Sequence, residues 1–304
     1  MPGAATAAII VNWNGGLTTQ GCIQALLDAA MEPAAVIVVD NGSDDRSAPT
    51  LRARYPGITV LEMGQNLGFA RGNNVGIRYA RDKLAPDYLF VLNNDAFVGR
   101  GTLAGLLAAL QANPRAGAAA PKITFGDGQR IWYGGGYVDW KRGTGIHRAK
   151  GELDRGQADR PGVTGFAPAC SLLVCRDLAE PDGLFDERYY FMGEDVDLSL
   201  RLTRVGRPVQ YAPAATVRHE VGASTRKQGD AFIWYHMTRN RLLTVSKHAS
   251  PAQKLAFFSC WPVLWSLHAL AMVSRGQTGV ARAMLQGIRD YRAGRYGPYL
   301  PAQG

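Results

Sequence analysis

Apolar runs and amphipathic stretches take turns along the first ninety residues, as expected of strands alternating with helices. The apolar runs predict strands at residues 7–12, 36–40, 58–61 and 88–92. Helical spacing predicts helices over 18–30, 47–55 and 70–81, with Thr18 and Ser47 as N-caps. This order builds an α/β fold with a mostly parallel central sheet flanked by helices. Ligands of such sheets bind beyond the carboxyl ends of the strands. Polar clusters stand there: Asn12-Trp13-Asn14-Gly15-Gly16, Asp40-Asn41-Gly42-Ser43-Asp44-Asp45 and Asn93-Asn94-Asp95.

With 304 residues and 46% hydrophobic content, the chain suits one catalytic unit over 1–248 and a helical tail over 249–304. A net charge of +9 points to an anionic partner, whether nucleotide phosphates, an acidic membrane surface or nucleic acid. Cys22, Cys170, Cys175 and Cys260 form no C-x-x-C pair, and the N-terminus lacks the order of a secretory signal, so a reducing, cytoplasmic location is expected.

Neither a G-x-G-x-x-G after the first strand nor a P-loop is present, which argues against dinucleotide-binding and P-loop enzymes. Asp40 suits hydrogen bonds from a base or ribose, and the turn through Gly42 and Ser43 admits close backbone approach. A plain Asx-turn explains the same string equally well. The stretch Gly64 to Asn74 adds glycines with Arg71 and Asn74 as donors near a helix start, an environment for a phosphate or base edge. Further on, Gly193-Glu194-Asp195-Val196-Asp197 crowds three carboxylates onto a predicted helix start. The helix dipole favours anions there. The acidic loop ending in Asp95, and His219 lying 24 residues after Asp195, tip the reading toward proton transfer.

Five blocks in order carry a resemblance: Ile9 to Asn14, Val38 to Ser43, Asn66 to Asn74, Leu92 to Asp95, and Gly193 to Leu198 with Arg218-His219. Over roughly residues 4 to 248 the chain resembles family 2 glycosyltransferases of the GT-A fold, closest to their rhamnosyltransferase-like branch. The resemblance implies inverting transfer of a sugar from a nucleoside diphosphate donor to an acceptor hydroxyl, with Mg²⁺ or Mn²⁺. It makes Val11, Asn12, Asp40, Asn41 and Ser43 the edge of the nucleoside site, closed by Asn66, Gly68, Arg71 and Asn74, with Asn94 among the same binding residues. Asp95 falls on the last position of the family's D-x-D metal motif, whose first position is Asn93 here, and His219 joins it as a nitrogen ligand suited to Mn²⁺. Asp195 becomes the general base, with Glu194 and Asp197 as alternatives. Asp197, two helical positions on, faces away from Asp195.

The aromatic, glycine and basic mixture from Trp132 to Arg142 reads as an acceptor surface or as hairpin packing. Residues 255–273 are nearly free of charge and are flanked by Arg239, Arg241, Lys247, His248 and Lys254 before and by Arg275, Arg282, Arg289, Arg292 and Arg295 after. This favours a helix lying on an anionic membrane surface, on the inner face of the plasma membrane. A buried helix or a homodimer interface is the alternative. The expected partners are a nucleoside diphosphate sugar, dTDP-rhamnose or a UDP-hexose, and a saccharide or polyprenyl-diphosphate-linked acceptor in cell-surface polysaccharide synthesis; nucleic acid is not among them. A sugar nucleotidyltransferase and a non-catalytic nucleotide-sugar binding module are the other classes. The first should carry a cationic loop after the first strand, where Asn12 to Gly16 has none.

Overall fold

The computed structural model describes residues 5–221 and 223–301, apart from the side chains of 223–227; the outer ends of the two expected units, 1–4 and 302–304, lie outside the described residues. The N-terminal half runs β1 (Thr6–Asn12), α1 (Gly16–Asp28), β2 (Val36–Asp40), α2 (Ser47–Arg54), β3 (Thr59–Glu62), α3 (Phe69–Tyr79) and β4 (Tyr88–Asn93). Every one of these lies within two residues of its predicted bounds. β3, β2, β1 and β4 pair in parallel, with Asn12 level with Asp40 at the carboxyl ends. β1 and β2 are buried along nearly their whole length, as strands covered by helices on both faces must be. Gly72 and Gly76 let α3 press onto β1, since a Cβ at Gly76 would meet Ile9 at 2.6 Å.

The caps differ from expectation. α1 starts before Thr18, and the backbone N–H of Gly16 donates to Asp45 across the loop gap at 3.2 Å. Ser47 is the first helical residue of α2, and Asp45 accepts its N–H at 3.0 Å. The Asp45 carboxylate thus takes the place of a capping hydroxyl at both helix starts, locally for α2 and across the gap between loops for α1.

Beyond β4 come β5 (Ala96–Val98), α4 (Thr102–Ala112), β6 (Ala118–Phe125), β7 (Ile131–Tyr133), β8 (Gly136–Asp139), β9 (Thr144–His147), β10 (Gly162–Thr164), β11 (Ser171–Cys175), α5 (Glu194–Arg204) and β12 (Val209–His219). β11 enters antiparallel between β4 and β6, and β12 runs parallel to β6, so the sheet is parallel in its first half and mixed beyond it. β8 and β9 form a separate hairpin. The end of β12 pairs with β5 and sets His219 opposite Ala96, beside Asp95.

Three helices close the chain: α6 (Ala223–His248), broken at Gly229, then α7 (Pro251–Ser274) and α8 (Thr278–Arg292). α8 lies along α6, held by Tyr235 donating to buried Asp290 at 2.9 Å. α7 opens with a capping box at Ser250 and Gln253 and buries Phe257, Trp261 and Met272. Its outer side exposes Leu255, Phe258, Val263, Leu264, Leu267, Leu270 and Val273. Among the described residues α7 is the one helix long and apolar enough to cross a membrane by length and composition.

Candidate active site

A cavity of about 510 Å³ lies where the strand ends meet α5 and α6. Val11, Asn41, Asn66 and Gly68 line one side of it, and Asn93, Asn94, Asp95 and His219 belong to its floor. Glu194 and Asp195 enter from the first turn of α5, and Met237, Asn240, Arg241 and Thr244 from one face of α6. Gly143, Thr144 and His147 of the hairpin complete the wall. Asn41 organises that first side: its Nδ2 donates to Asn66 Oδ1 and to the Gly68 carbonyl, both at 3.1 Å, and its Oδ1 accepts from Leu67 N–H. Gly68 has φ +81°, and a Cβ there would strike Tyr190 at 2.6 Å.

Five of the residues expected at the nucleoside site stand outside this lining. Asn12 is fully buried and donates to Asp40, Ser43 and Ser47 while accepting from Thr19. Asp40 takes the Ser43 N–H on its other oxygen at 2.9 Å. Together they fix the loops under the cavity. Asn74 accepts from the N–H groups of Leu184 and Phe185 and donates to the Phe185 carbonyl, which ties α3 to the approach to α5. Arg71 reaches outward to Glu187 at 3.6 Å.

The carboxylates of α5 divide cleanly. Asp195 is half-buried, accepts from Val196 N–H at 2.8 Å, and has its pKa raised to about 6 by burial. Glu194 is buried with Oε2 unpartnered, and burial together with the neighbouring Asp195 charge holds it protonated well above the usual range. Asp197 is fully buried on another side of the helix, among Arg201 at 2.8 Å, His248 at 2.7 Å and Lys247. His248, Arg201 and Lys247 hold its pKa low in spite of burial. Asp197 is therefore an anchor of α5 on α6, and Asp195 is the carboxylate poised to take a proton near neutrality.

The loop before α5 is strained. Tyr190 has φ +58° and ψ −57°, and Phe191 N–H donates back to the Tyr189 carbonyl at 2.6 Å, a γ-turn of the rare hand. Met192 follows at φ +67° and Gly193 at φ +94°. Asn240 of α6 spans the loop, its Nδ2 facing the carbonyls of Tyr189, Phe191 and Met192 at 2.9, 2.9 and 2.6 Å. Buried Arg239 adds donations to the carbonyls of Arg188 and Tyr189. From the far side, Phe69 N–H at the start of α3 donates to Tyr190 O at 2.7 Å.

Asp95 and His219 are both buried and joined through Oδ1 and Nε2 at 2.9 Å. Neighbouring ligands of one octahedral ion stand about 3 Å apart, given metal–ligand bonds of about 2.1 Å. Asn93 Oδ1, with no hydrogen-bond partner among the described residues, stands on the same floor. Among those residues no group of three or more His, Cys, Asp or Glu side chains converges on a cation. The donor set thus fits an ion that takes most of its oxygens from a diphosphate and water. Trp132 wedges edge-on between His147, 4.4 Å away, and His219, 4.7 Å away, and fixes both rings. Burial lowers His147 to about 4, so its ring is neutral.

The family model for glycosyl transferase family 2 matches residues 7–180. The chain belongs to that family. It is 29% identical over 261 residues to the N-acetylglucosaminyl-diphospho-decaprenol L-rhamnosyltransferase of Mycobacterium tuberculosis, covering 79% of this chain and 84% of that one. To the dTDP-rhamnosyl transferase RfbF of Shigella flexneri it is 26% identical, covering 80% and 81%. The fold is GT-A. A mannosyltransferase from Pyrobaculum calidifontis in complex with GDP-Man and Mn²⁺ superposes with a TM-score of 0.58 at 15% identity, over 95% of this chain and 87% of that one. GalNAc-T7 with UDP, GalNAc and Mn²⁺ superposes at 0.60 and 16% identity over 80% of this chain, which spans about half of that longer protein, 48%.

For this family 2 glycosyltransferase the least legible part of the site is α6. Met237, Asn240, Arg241 and Thr244 follow i, i+3, i+4, i+7 spacing, the signature of one helix face. Polar residues in that register within an otherwise packed helix were the available signal. Sequence reading absorbed Arg241 into a general basic flank.

Proposed function

We propose that this glycosyltransferase is metal-dependent and inverting, moving rhamnose from dTDP-rhamnose to a hydroxyl of a polyprenyl-diphosphate-linked saccharide during cell-surface polysaccharide synthesis. The observation that carries the proposal is Asp195, ionisable near neutrality, in one cavity with the Asp95–His219 pair. In the transfer, the acceptor oxygen bonds to the anomeric carbon as the bond to the donor diphosphate breaks and leaves with its electron pair. Asp195 takes the hydroxyl proton. Glu194, protonated beside it, offers a hydrogen bond to a sugar oxygen rather than a second negative charge. The nucleoside rests against Val11, Asn41, Asn66 and Gly68, whose positions Asn12, Asp40 and Ser43 fix from below. Asp95 and His219, with Asn93 beside them, would hold a divalent ion, which when bound neutralises charge on the diphosphate. The names of the two rhamnosyltransferase relatives support the donor and the lipid-linked acceptor.

The uncharged outer side of α7 and the arginines around it support a site of work on the cytoplasmic face of an anionic membrane, with the helical tail from residue 249 as the membrane-facing part. The deciding experiment measures rhamnose transfer from dTDP-rhamnose to a synthetic N-acetylglucosaminyl-diphospho-lipid with Mn²⁺ or Mg²⁺ and with chelator. Asp195→Asn should remove turnover while donor binding, read by thermal shift, persists. Unaltered turnover in Asp195→Asn would refute the base assignment, and turnover unaffected by chelator would refute the metal.

A further inference from the structure

Arg241 is largely buried on the cavity face of α6, yet it ties no two elements together: among the described residues no hydrogen bond or ion pair reaches its guanidinium. Its neighbour Arg239, facing the other way, is by contrast saturated with carbonyl acceptors. Of the charges acting on Arg241, Arg142 of the hairpin turn repels it more than Asp139 attracts it, and Asp139 is itself paired with Arg142 at 3.6 Å. Burial and Arg142 accordingly depress its pKa. A guanidinium keeps its charge in proteins, so an unpaired one inside a cavity is costly unless an anion arrives.

The surroundings say which anion. Arg241 sits where α6 meets the hairpin turn and the first turns of α7, because Gly143 lies against Val245 and Phe257. On either side of Phe257, α7 exposes Leu255 and Phe258. Lys150, exposed at the rim, faces the same cavity and packs on Trp132. Cations beside an uncovered apolar helix match an amphiphile with an anionic head, whereas the nucleoside side of the cavity belongs to Val11, Asn41 and Asn66. Resting on the acceptor reading above, we infer that Arg241, with Lys150 at the rim, forms a subsite for the diphosphate of the lipid-linked acceptor, whose chain leaves along α7. Arginine suits this task because its planar fork meets two phosphate oxygens at once.

The test uses the full chain with Arg241→Gln and Arg241→Lys. The first arm titrates inorganic pyrophosphate in chelator, which silences the Asp95–His219 site. Wild type should gain thermal stability and Arg241→Gln should not; equal gains would overturn the subsite whatever the acceptor. In the second arm, kcat/KM is compared for an N-acetylglucosaminyl-diphospho-lipid and the matching alkyl glycoside without diphosphate. Wild type should favour the diphosphate, and Arg241→Gln should shrink that preference by about 10- to 100-fold, the worth of charge-assisted hydrogen bonds, with Arg241→Lys between. A wild type with no preference would sink the acceptor reading itself. A rise in KM for dTDP-rhamnose instead would assign Arg241 to the donor and overturn the inference.

Discussion

Replacing Asn240 with alanine should uncouple catalysis from stability. Asn240 Nδ2 faces three carbonyls of the loop before α5, and only that of Tyr189 has a second donor, Arg239. Phe191 and Met192 would lose their side-chain donor, at about 1 kcal/mol each. Tyr190 and Met192 occupy left-handed backbone that costs about 1–2 kcal/mol per non-glycine residue. The clamp and the strain are thus matched at about 2–3 kcal/mol, so without the clamp the loop should relax and carry Asp195 off line. The expected outcome is a fall in kcat of about 30- to 160-fold, 2–3 kcal/mol expressed as a rate. Donor affinity should stay put, because Asn41, Asn66 and Asp95 lie on other elements. The assay pairs steady-state kinetics with thermal-shift titration of dTDP. A variant that melts far lower yet turns over normally would show that Asn240 only braces the fold. Equal losses in donor affinity and kcat would show that the loop shapes the nucleoside site instead.

The pH dependence follows from the two carboxylates. Activity should fall with a limb near pH 6 as Asp195 protonates, and Glu194→Gln, which mimics the neutral acid, should keep most of the turnover. Because the folded pKa of Glu194 is raised, the native state binds more protons than the unfolded one above about pH 4.5, and stability falls as pH rises. Glu194→Gln should therefore melt higher than wild type at pH 7; a lower melting temperature would contradict a neutral Glu194. Asp197 has the opposite sign: its lowered pKa gives stability above about pH 4 that is lost on acidification. Asp197→Asn should cost about 3 kcal/mol at pH 7 and flatten the acid end of the urea-melt profile; an unchanged profile would show that the ion network contributes nothing. Leu267→Glu with Leu270→Glu on the exposed side of α7 should abolish cosedimentation with vesicles containing phosphatidylglycerol, leaving the melting temperature unchanged. Undiminished cosedimentation would remove α7 from the membrane contact.

What the sequence disclosed, and what it withheld, divides along the range of the interactions. β1, β2 and β4 announce themselves because burial on both faces demands unbroken apolar runs, and Asp95 and Asp195 are visible because each belongs to a local acidic motif. Where Asp95 stands was also legible, since it follows the carboxyl end of β4, whereas Asp195 reaches the same cavity from the first turn of α5. Thr18 and Ser47 failed as caps because Asp45 satisfies both helix starts: it accepts from Ser47 two residues on, and the pairing of β1 with β2 brings it to Gly16 at the start of α1. Asn12 and Asp40 reads well as a ligand pair in one dimension, but their hydrogen bonds to each other and to Ser43 and Ser47 exist only once β1 and β2 lie in register. The same limit hid Asn240. Its partners precede it by 48 to 51 residues, and nothing local marks an asparagine that faces three carbonyls. A strained loop can persist only where distant groups over-determine it. The residues that hold the loop leading to Asp195 are therefore the ones that local pattern is least able to reveal.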